Sequence, residues 1–182
     1  MSNYKRFFSK DYNIVFFTIV TNNRIPVLIN NIEILRKSIL YAKGKYFFEI
    51  VSCVVLNDHI HLILKLQNTN DYPEIIRLIK YYFSIHIKNG GHADALPTLQ
   101  NFGSKRNKRE KGVWQRRYWE HTIRDEADFN KHIDYIHYNP VKHGYVKMAK
   151  DWEYSSFKNY VKDRYYDEDW CDFSKCEGLD YE

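Results

Sequence analysis

Two apolar runs separated by a single turn limit how this chain can fold. They are residues 47–56 (FFEIVSCVVL) and 59–66 (HIHLILKL), with only Asn57-Asp58 between them. Both runs are short and rich in β-branched or aromatic residues, which is typical of strands. Asn and Asp favour turns. The pattern therefore predicts a β-hairpin of two antiparallel strands.

The remaining elements follow from hydrophobic periodicity. We predict strands at 13–21 and within 113–123, and helices at 31–43, 71–88, 126–139 and 154–161. Asp125 can cap the helix that follows it, and Pro140 should end that helix. The order β-α-β-β-α-β with extra C-terminal helices predicts an α+β, ferredoxin-like sandwich, in which helices cover one face of an antiparallel sheet.

The 182 residues suit one domain. We predict a domain at 1–162, with a mobile loop at 89–112 where periodicity is lost, and an acidic tail at 163–182. Three cysteines make no disulfide framework. The longest apolar run, 14–20, is too short to span a membrane, and no signal core follows the first charges. We therefore expect a soluble, cytoplasmic protein associated with the nucleoid.

The charge is distributed unevenly. The tail at 163–182 carries eight acidic and two basic residues, so the net +5 of the whole chain leaves +11 on residues 1–162. A basic body attracts polyanions such as nucleic acids, although a solvated basic surface has the same composition. We hypothesise that the acidic tail mimics DNA and covers the active site.

The first candidate site is His59-Ile60-His61, at the start of the predicted strand 59–66. Residues i and i+2 of a strand point to the same face, with Cα atoms about 7 Å apart. The two imidazoles can therefore share one cation while Ile60 turns into the core. A short H-x-H pattern also occurs where both histidines serve only packing.

The second candidate is the pair Tyr135 and Asn139, which lie at i and i+4 on the predicted helix. They share one helix face, separated by about 6 Å of rise. A phenol nucleophile and an oxygen ligand can thus be offered together. Tyr135 could instead only pack, and Asn139-Pro140 is also a good helix stop. Tyr138 and Tyr118 are rival nucleophiles without a ligand partner at helical spacing.

The two candidates together suit phosphodiester chemistry. Two neutral imidazoles and an amide oxygen would bind a divalent ion without cancelling its charge, leaving positions for water and a phosphate oxygen. The tyrosine hydroxyl could then attack the phosphorus and form a phosphotyrosine. Because its ordinary pKa lies near 10, the phenol needs help in losing its proton.

At this point the chain resembles a known family. The stretch 113–146 (VWQRRYWEHTIRDEADFNKHIDYIHYNPVKHGYV) is similar to the signature of REP-associated tyrosine transposases, relatives of the insertion-sequence-200/605 transposases. The opening MSNYKRFF, NDHIHLIL at 57–64 and DWEYSSF at 151–157 match this family too. The similarity covers nearly the whole chain apart from about residues 89–112.

The resemblance implies an HUH transposase with a ferredoxin-like fold. It implies that His59 and His61 bind Mg²⁺ or Mn²⁺, and that Tyr135 becomes linked to a DNA 5′-phosphate and leaves a 3′-hydroxyl. Asn139 stands where the wider superfamily has glutamine and would be the third ligand. The implied partner is single-stranded DNA beside a REP-type hairpin. The protein would be a monomer, or a homodimer with the tyrosine helix acting in trans.

Basic residues outside the metal centre are candidate DNA contacts. Lys142 and His143 follow the catalytic helix, although charges at a helix C-terminus also have a structural role. Trp114, Tyr118 and Trp119 could stack unpaired bases or lie in the core, and His121 could support the site or only pack. The other expected contacts are Tyr4, Lys5, Arg6, Lys105, Arg106, Lys108, Arg109, Arg116 and Arg117.

Three functions remain open from the sequence. The first is a nickase and strand-transferase that cleaves and rejoins single-stranded DNA beside a hairpin. The second is a catalytically idle module that only binds the hairpin. The third is an RNA-binding protein, since ferredoxin-like sheets with exposed aromatic residues often bind RNA.

Overall fold

The computed structural model describes residues 13–89 and 112–170. Its strands are β1 (Asn13–Val20), β2 (Phe48–Val55), β3 (His59–Leu66) and β4 (Trp119–Thr122). Its α-helices are α1 (Ile32–Lys43), α2 (Tyr72–Asn89), α3 (Glu126–Lys142) and α4 (Phe157–Lys162). The strands form one antiparallel sheet in the order β2-β3-β1-β4. This arrangement confirms the predicted ferredoxin-like fold.

One face of the sheet packs against α1 and α2. Alternate residues of β1, namely Val15, Phe17 and Ile19, point to this face and are fully or almost fully buried. They join Ile60 and the following even-numbered residues of β3 in a single hydrophobic cluster with both helices. The period of two in a strand assigns the intervening residues to the other face. His59 and His61 therefore lie away from α1 and α2.

The second face of the sheet is covered by α3 and α4. Ile14, Phe16 and Ile63 point to this face and pack with Phe129 and Ile136 of α3 in a second cluster. The prediction that helices cover only one face was therefore wrong. The extra C-terminal helices are amphipathic and bury their apolar sides against the second face, which would otherwise expose these large side chains.

Helix α3 begins and ends through well-defined caps. The Asp125 side chain accepts a hydrogen bond from the Asp128 amide at 2.8 Å, as predicted. Pro140 does not end the helix, which continues to Lys142. A proline in the last turn removes only one backbone bond, and its carbonyl accepts from the Tyr145 amide at 3.0 Å. Gly144, with φ of 69°, makes the turn that ends the helix.

The beginning of the predicted tail packs against α3. The Tyr166 hydroxyl donates to Asp134 Oδ1 at 2.6 Å, and its ring stacks on that of Trp170. Residues 90–111 and 171–182 lie outside the described residues, so the division into domain, loop and tail stays a prediction. None of the helices within the described ranges has the length and apolar character needed to cross a bilayer.

Candidate metal and nucleophile site

His59 and His61 are placed by the pairing of β3 with the central strand β1. In this register Val20 lies opposite His59 and Thr18 lies opposite His61. Both histidines are at most 1% exposed, and their ring centroids are 4.9 Å apart at an interplanar angle of 80°. The predicted pair of imidazoles on one face is thus present, between the sheet and α3.

Each imidazole is oriented through its Nδ1 atom. The Nδ1 of His59 lies 2.6 Å from Asp58 Oδ1, and the Nδ1 of His61 lies 2.9 Å from Thr18 Oγ1. An ionised carboxylate only accepts hydrogen bonds, so Asp58 fixes the proton of His59 on Nδ1. The lone pair of the neutral ring is then on Nε2, which is the arrangement seen where a carboxylate supports a metal-binding histidine.

Asp58 remains ionised because of its neighbours. Burial raises its pKa, but the hydrogen bond with His59, together with the hydrogen bond and charge of Arg24, holds the pKa below its ordinary value. The Arg24 guanidinium lies 3.3 Å from Asp58 Oδ2. Arg24 and Asp58 thus form a support behind His59.

The Asp58→Asn variant tests this support. An asparagine can present its NH₂ group to the ring and favour the wrong tautomer, so we expect the affinity for Mn²⁺ to fall by about 10–100-fold. Isothermal titration with Mn²⁺ measures the change. Asp71→Asn, in the turn before α2, is the matched control and should bind as the wild type does. An unchanged affinity in Asp58→Asn would contradict the support role.

Tyr135 and Asn139 approach the histidines from α3. The Tyr135 ring meets the His61 ring edge-to-face, with centroids 5.1 Å apart, and is 1% exposed. Asn139, one turn further along the helix, is fully buried. Neither Oδ1 nor Nδ2 of Asn139 forms a hydrogen bond within the described part of the chain. Leaving such a buried amide unsatisfied costs about 1–3 kcal/mol.

This set of donors fits a divalent cation. A buried amide without hydrogen bonds to any of the described residues, next to two imidazoles whose Nδ1 atoms are already oriented, is a costly arrangement unless a ligand satisfies it. His59 Nε2, His61 Nε2 and Asn139 Oδ1 would hold the ion. The two imidazole nitrogens favour later transition-metal ions, whereas the amide oxygen favours harder ions such as Mg²⁺ or Mn²⁺, so the donors alone do not select the metal.

The residues that follow α3 also border this site. Lys142 Nζ lies 5.2 Å from the centroid of the Tyr135 ring, and the His143 ring centroid lies 5.2 Å from that of His59. Both predicted DNA contacts are thus adjacent to the Tyr135 ring and the first imidazole.

The other predicted DNA contacts lie partly inside and partly outside the described residues. Arg116 and Arg117 are exposed. Trp114 is 7% exposed and packs on Phe83, so it belongs to the core, whereas Trp119 is 38% exposed and its ring stacks on that of His121. The remaining predicted contacts lie outside the described residues: Tyr4, Lys5, Arg6, Lys105, Arg106, Lys108 and Arg109.

A second group of ligand-type atoms lies between β4 and α3, with His121 on the strand and Asp128 and His132 on the helix. Their ligand atoms are all within 4.8 Å of one another, so the group could hold a metal. The carboxylate of Asp128 accepts from His121 Nε2 at 2.8 Å, and Arg124 Nε lies 3.3 Å from it. His132 Nδ1 lies 2.7 Å from the Asp128 carbonyl, an acceptor that requires a proton on Nδ1. The proton on His132 Nδ1 and the Arg124 guanidinium beside Asp128 favour a hydrogen-bond network over a bound cation at this position.

This network predicts a loss of stability in acid. Burial lowers the pKa of His132 below 6.5, and hydrogen bonds outweigh burial to lower that of Asp128 below 3.8. The unfolded chain therefore binds more protons than the folded one, and stability falls as pH drops below 6.5, by at most about 1.4 kcal/mol per pH unit for each proton. The free energy of unfolding, measured in urea at about pH 7.5 and about pH 5.5, should fall less between these pH values in His132→Gln than in the wild type. An equal fall in the two proteins would contradict this role.

Several supporting residues were not predicted from the sequence. Asp58 was assigned only to the turn, and Thr18 only to a buried strand. The role of Thr18 depends on the register between β1 and β3, which the sequence pattern does not specify. The role of Asp58 depends on the local geometry of the turn beside His59. Asp128 and His132 were missed although their i, i+4 spacing on a predicted helix was a usable signal.

Comparisons with known proteins point to one family. A family model described as IS200-like transposase matches residues 8–139, an interval that includes His59, His61, Tyr135 and Asn139. A protein of Haemophilus influenzae described as a REP-associated tyrosine transposase is 43% identical over 173 residues, covering 93% of each chain. The REP-associated tyrosine transposase of Escherichia coli K12 is 36% identical over 184 residues, covering 98% of this chain and 99% of its own.

A solved structure agrees with the sequence relatives. A REP-associated tyrosine transposase bound to a REP hairpin matches this chain with a TM-score of 0.69 and 34% identity. The match covers 98% of this chain and 99% of the other. The likeness therefore extends over nearly the whole length of both chains.

Proposed function

Because this chain belongs to the REP-associated tyrosine transposases of the IS200-like family, we propose that it nicks and rejoins single-stranded DNA beside a REP-type hairpin. The reaction uses a divalent cation, Mg²⁺ or Mn²⁺, and a covalent 5′-phosphotyrosine. The observation that carries the proposal is the meeting of the Tyr135 phenol with His61, at 5.1 Å between ring centroids, beside the buried Asn139 amide.

The site supports an in-line transesterification. The Tyr135 oxygen attacks the scissile phosphorus, a Tyr–O–P bond forms, and the P–O3′ bond breaks. The phenol loses one proton and the departing 3′ oxygen gains one, so cleavage gives a 5′-phosphotyrosine and a 3′-hydroxyl. The reverse attack by a 3′-hydroxyl rejoins the strand without ATP, because the phosphotyrosine conserves the bond energy.

Each side chain has a distinct task in this reaction. His59, His61 and Asn139 would hold the cation, which would supply Lewis-acid polarisation of the phosphate. Asp58 and Thr18 keep the two imidazoles in a productive orientation. Because the Tyr135 hydroxyl is enclosed, neighbouring groups must rearrange before a phosphate reaches it, and burial then excludes water that would hydrolyse the intermediate.

The proposal is tested with labelled DNA. A single-stranded oligonucleotide that contains a REP hairpin and a flanking extension is incubated with the protein and Mn²⁺, then resolved on a denaturing gel. We expect a slow band of covalent protein–DNA that disappears when EDTA is added first. Hairpin binding without this band would instead support the idle binding module, and preference for RNA would support the third reading of the sequence.

A further inference from the structure

A groove on the opposite side of the sheet from the histidines combines positive charge with aromatic rings. It lies between α2 and residues 112–118 and has a volume of about 560 Å³. None of the described residues that line it is acidic, and three are basic: Arg77, Lys80 and Arg116. A volume in this range accommodates a nucleotide-sized ligand.

The groove lies at the same end of the sheet as His59. Trp114 forms a β-bridge with Thr21, and the Gln115 amide donates to the Val20 carbonyl at 2.9 Å. Val20 is the residue opposite His59 in the β1–β3 pairing. Residues 112–118 thus pass beside the end of the sheet at which His59 begins β3. A DNA strand that extends from the candidate metal site around this end of the sheet would reach the groove.

Lys80 is the unusual residue of the groove. Its ammonium donates to the Gln115 carbonyl at 3.1 Å and lies 5.0 Å from the centroid of the Tyr118 ring. Within the described ranges no carboxylate lies within ion-pair distance of it. Burial lowers the pKa of Lys80 to about 8. A partly desolvated ammonium without a counter-charge is costly, and an anionic ligand would remove this cost.

The neighbouring side chains indicate which anion fits. Arg116 is exposed at the groove, whereas Arg77 is already paired with Glu74 at 2.7 Å. Tyr81, one residue after Lys80, is 52% exposed. Cations beside an exposed aromatic ring are the combination that binds single-stranded nucleic acid, with the phosphate on the cations and the base on the ring.

We propose that this groove binds one nucleotide of the single-stranded DNA that flanks the hairpin, with its phosphate on Lys80 and Arg116 and its base on Tyr81. This inference rests on the proposed function and assigns the DNA strand a second contact, remote from Tyr135. The groove contributes affinity for the unpaired strand and does not take part in the chemical step.

Lys80→Met tests the groove through the salt dependence of binding. The dissociation constant is measured across a series of salt concentrations for a hairpin with a single-stranded extension. Loss of one phosphate contact should weaken binding several-fold and reduce the slope of log K against log salt by about 0.7. Lys37→Met, on the exposed surface of α1, is the matched control and should leave both quantities unchanged.

Further comparisons make each result decisive. Arg116→Gln, at an exposed position, should lower the slope in the same way, so a folding defect in Lys80→Met cannot mimic the effect. A hairpin without the extension should bind both variants as it binds the wild type. Unchanged slopes for both variants, or an equal loss with the blunt hairpin, would overturn the proposal. If the wild type forms no covalent adduct, the proposed function fails instead.

Discussion

The Tyr135→Phe variant should form no covalent DNA adduct and should lose nicking activity by a factor on the order of a thousand or more. The substitution removes only the hydroxyl oxygen that the proposed reaction bonds to phosphorus. The ring that packs between Phe16 and His61 remains, so the fold and the candidate metal site are kept. Hairpin affinity should stay within about twofold of wild type. Denaturing electrophoresis measures the adduct, and a mobility-shift titration measures binding.

The rival tyrosines supply the controls for this result. Tyr138→Phe and Tyr118→Phe remove a hydroxyl from residues that were considered as nucleophiles from the sequence. Both should retain the adduct, since neither ring lies against the histidine pair in the structure. If the adduct survives in Tyr135→Phe but vanishes in one of these variants, Tyr135 is not the nucleophile and the other tyrosine is.

The Asn139→Leu variant should lose cation binding and nicking while the metal-free protein becomes more stable. Leucine has nearly the shape of asparagine but no polar atoms. It removes a buried amide whose two polar atoms make no hydrogen bond within the described residues, which should raise the free energy of unfolding by about 1 kcal/mol in EDTA. The stabilisation that Mn²⁺ gives the wild type should disappear. Thermal melts with EDTA and with Mn²⁺ measure both effects.

Asn130→Leu is the matched control on the same helix. The Asn130 side chain accepts a hydrogen bond from the Tyr165 hydroxyl at 3.2 Å, so its loss should lower stability and leave the response to Mn²⁺ intact. The opposite signs of the two stability changes distinguish a ligand from an ordinary buried amide. If Asn139→Leu were less stable in EDTA and still stabilised by Mn²⁺, Asn139 would not be the third ligand.

Much of the fold followed from local sequence patterns. The hairpin of β2 and β3 and the orientation of His59 and His61 depend on the period of two in strands, which is independent of the rest of the structure. The shared face of Tyr135 and Asn139 likewise follows from helical spacing. These local rules were sufficient to identify the histidine pair and the Tyr135–Asn139 pair as candidate sites.

Most of the features that were missed depend on tertiary packing. The cover of the second sheet face by α3 and α4 is set by which apolar surfaces meet, and the order of elements alone does not determine this. Pro140 was expected to end its helix, but only one backbone bond is lost there and Gly144 supplies the turn. Thr18 and Lys80 acquire their partners through residues distant in sequence, His61 and Gln115.

The most direct measurement is anomalous X-ray diffraction from crystals of the protein with Mn²⁺ and hairpin DNA. We predict one manganese peak roughly 2.0–2.3 Å from His59 Nε2, His61 Nε2 and Asn139 Oδ1, with the Tyr135 oxygen facing the bound phosphate. A peak among His121, Asp128 and His132, with none between the paired imidazoles, would contradict the account.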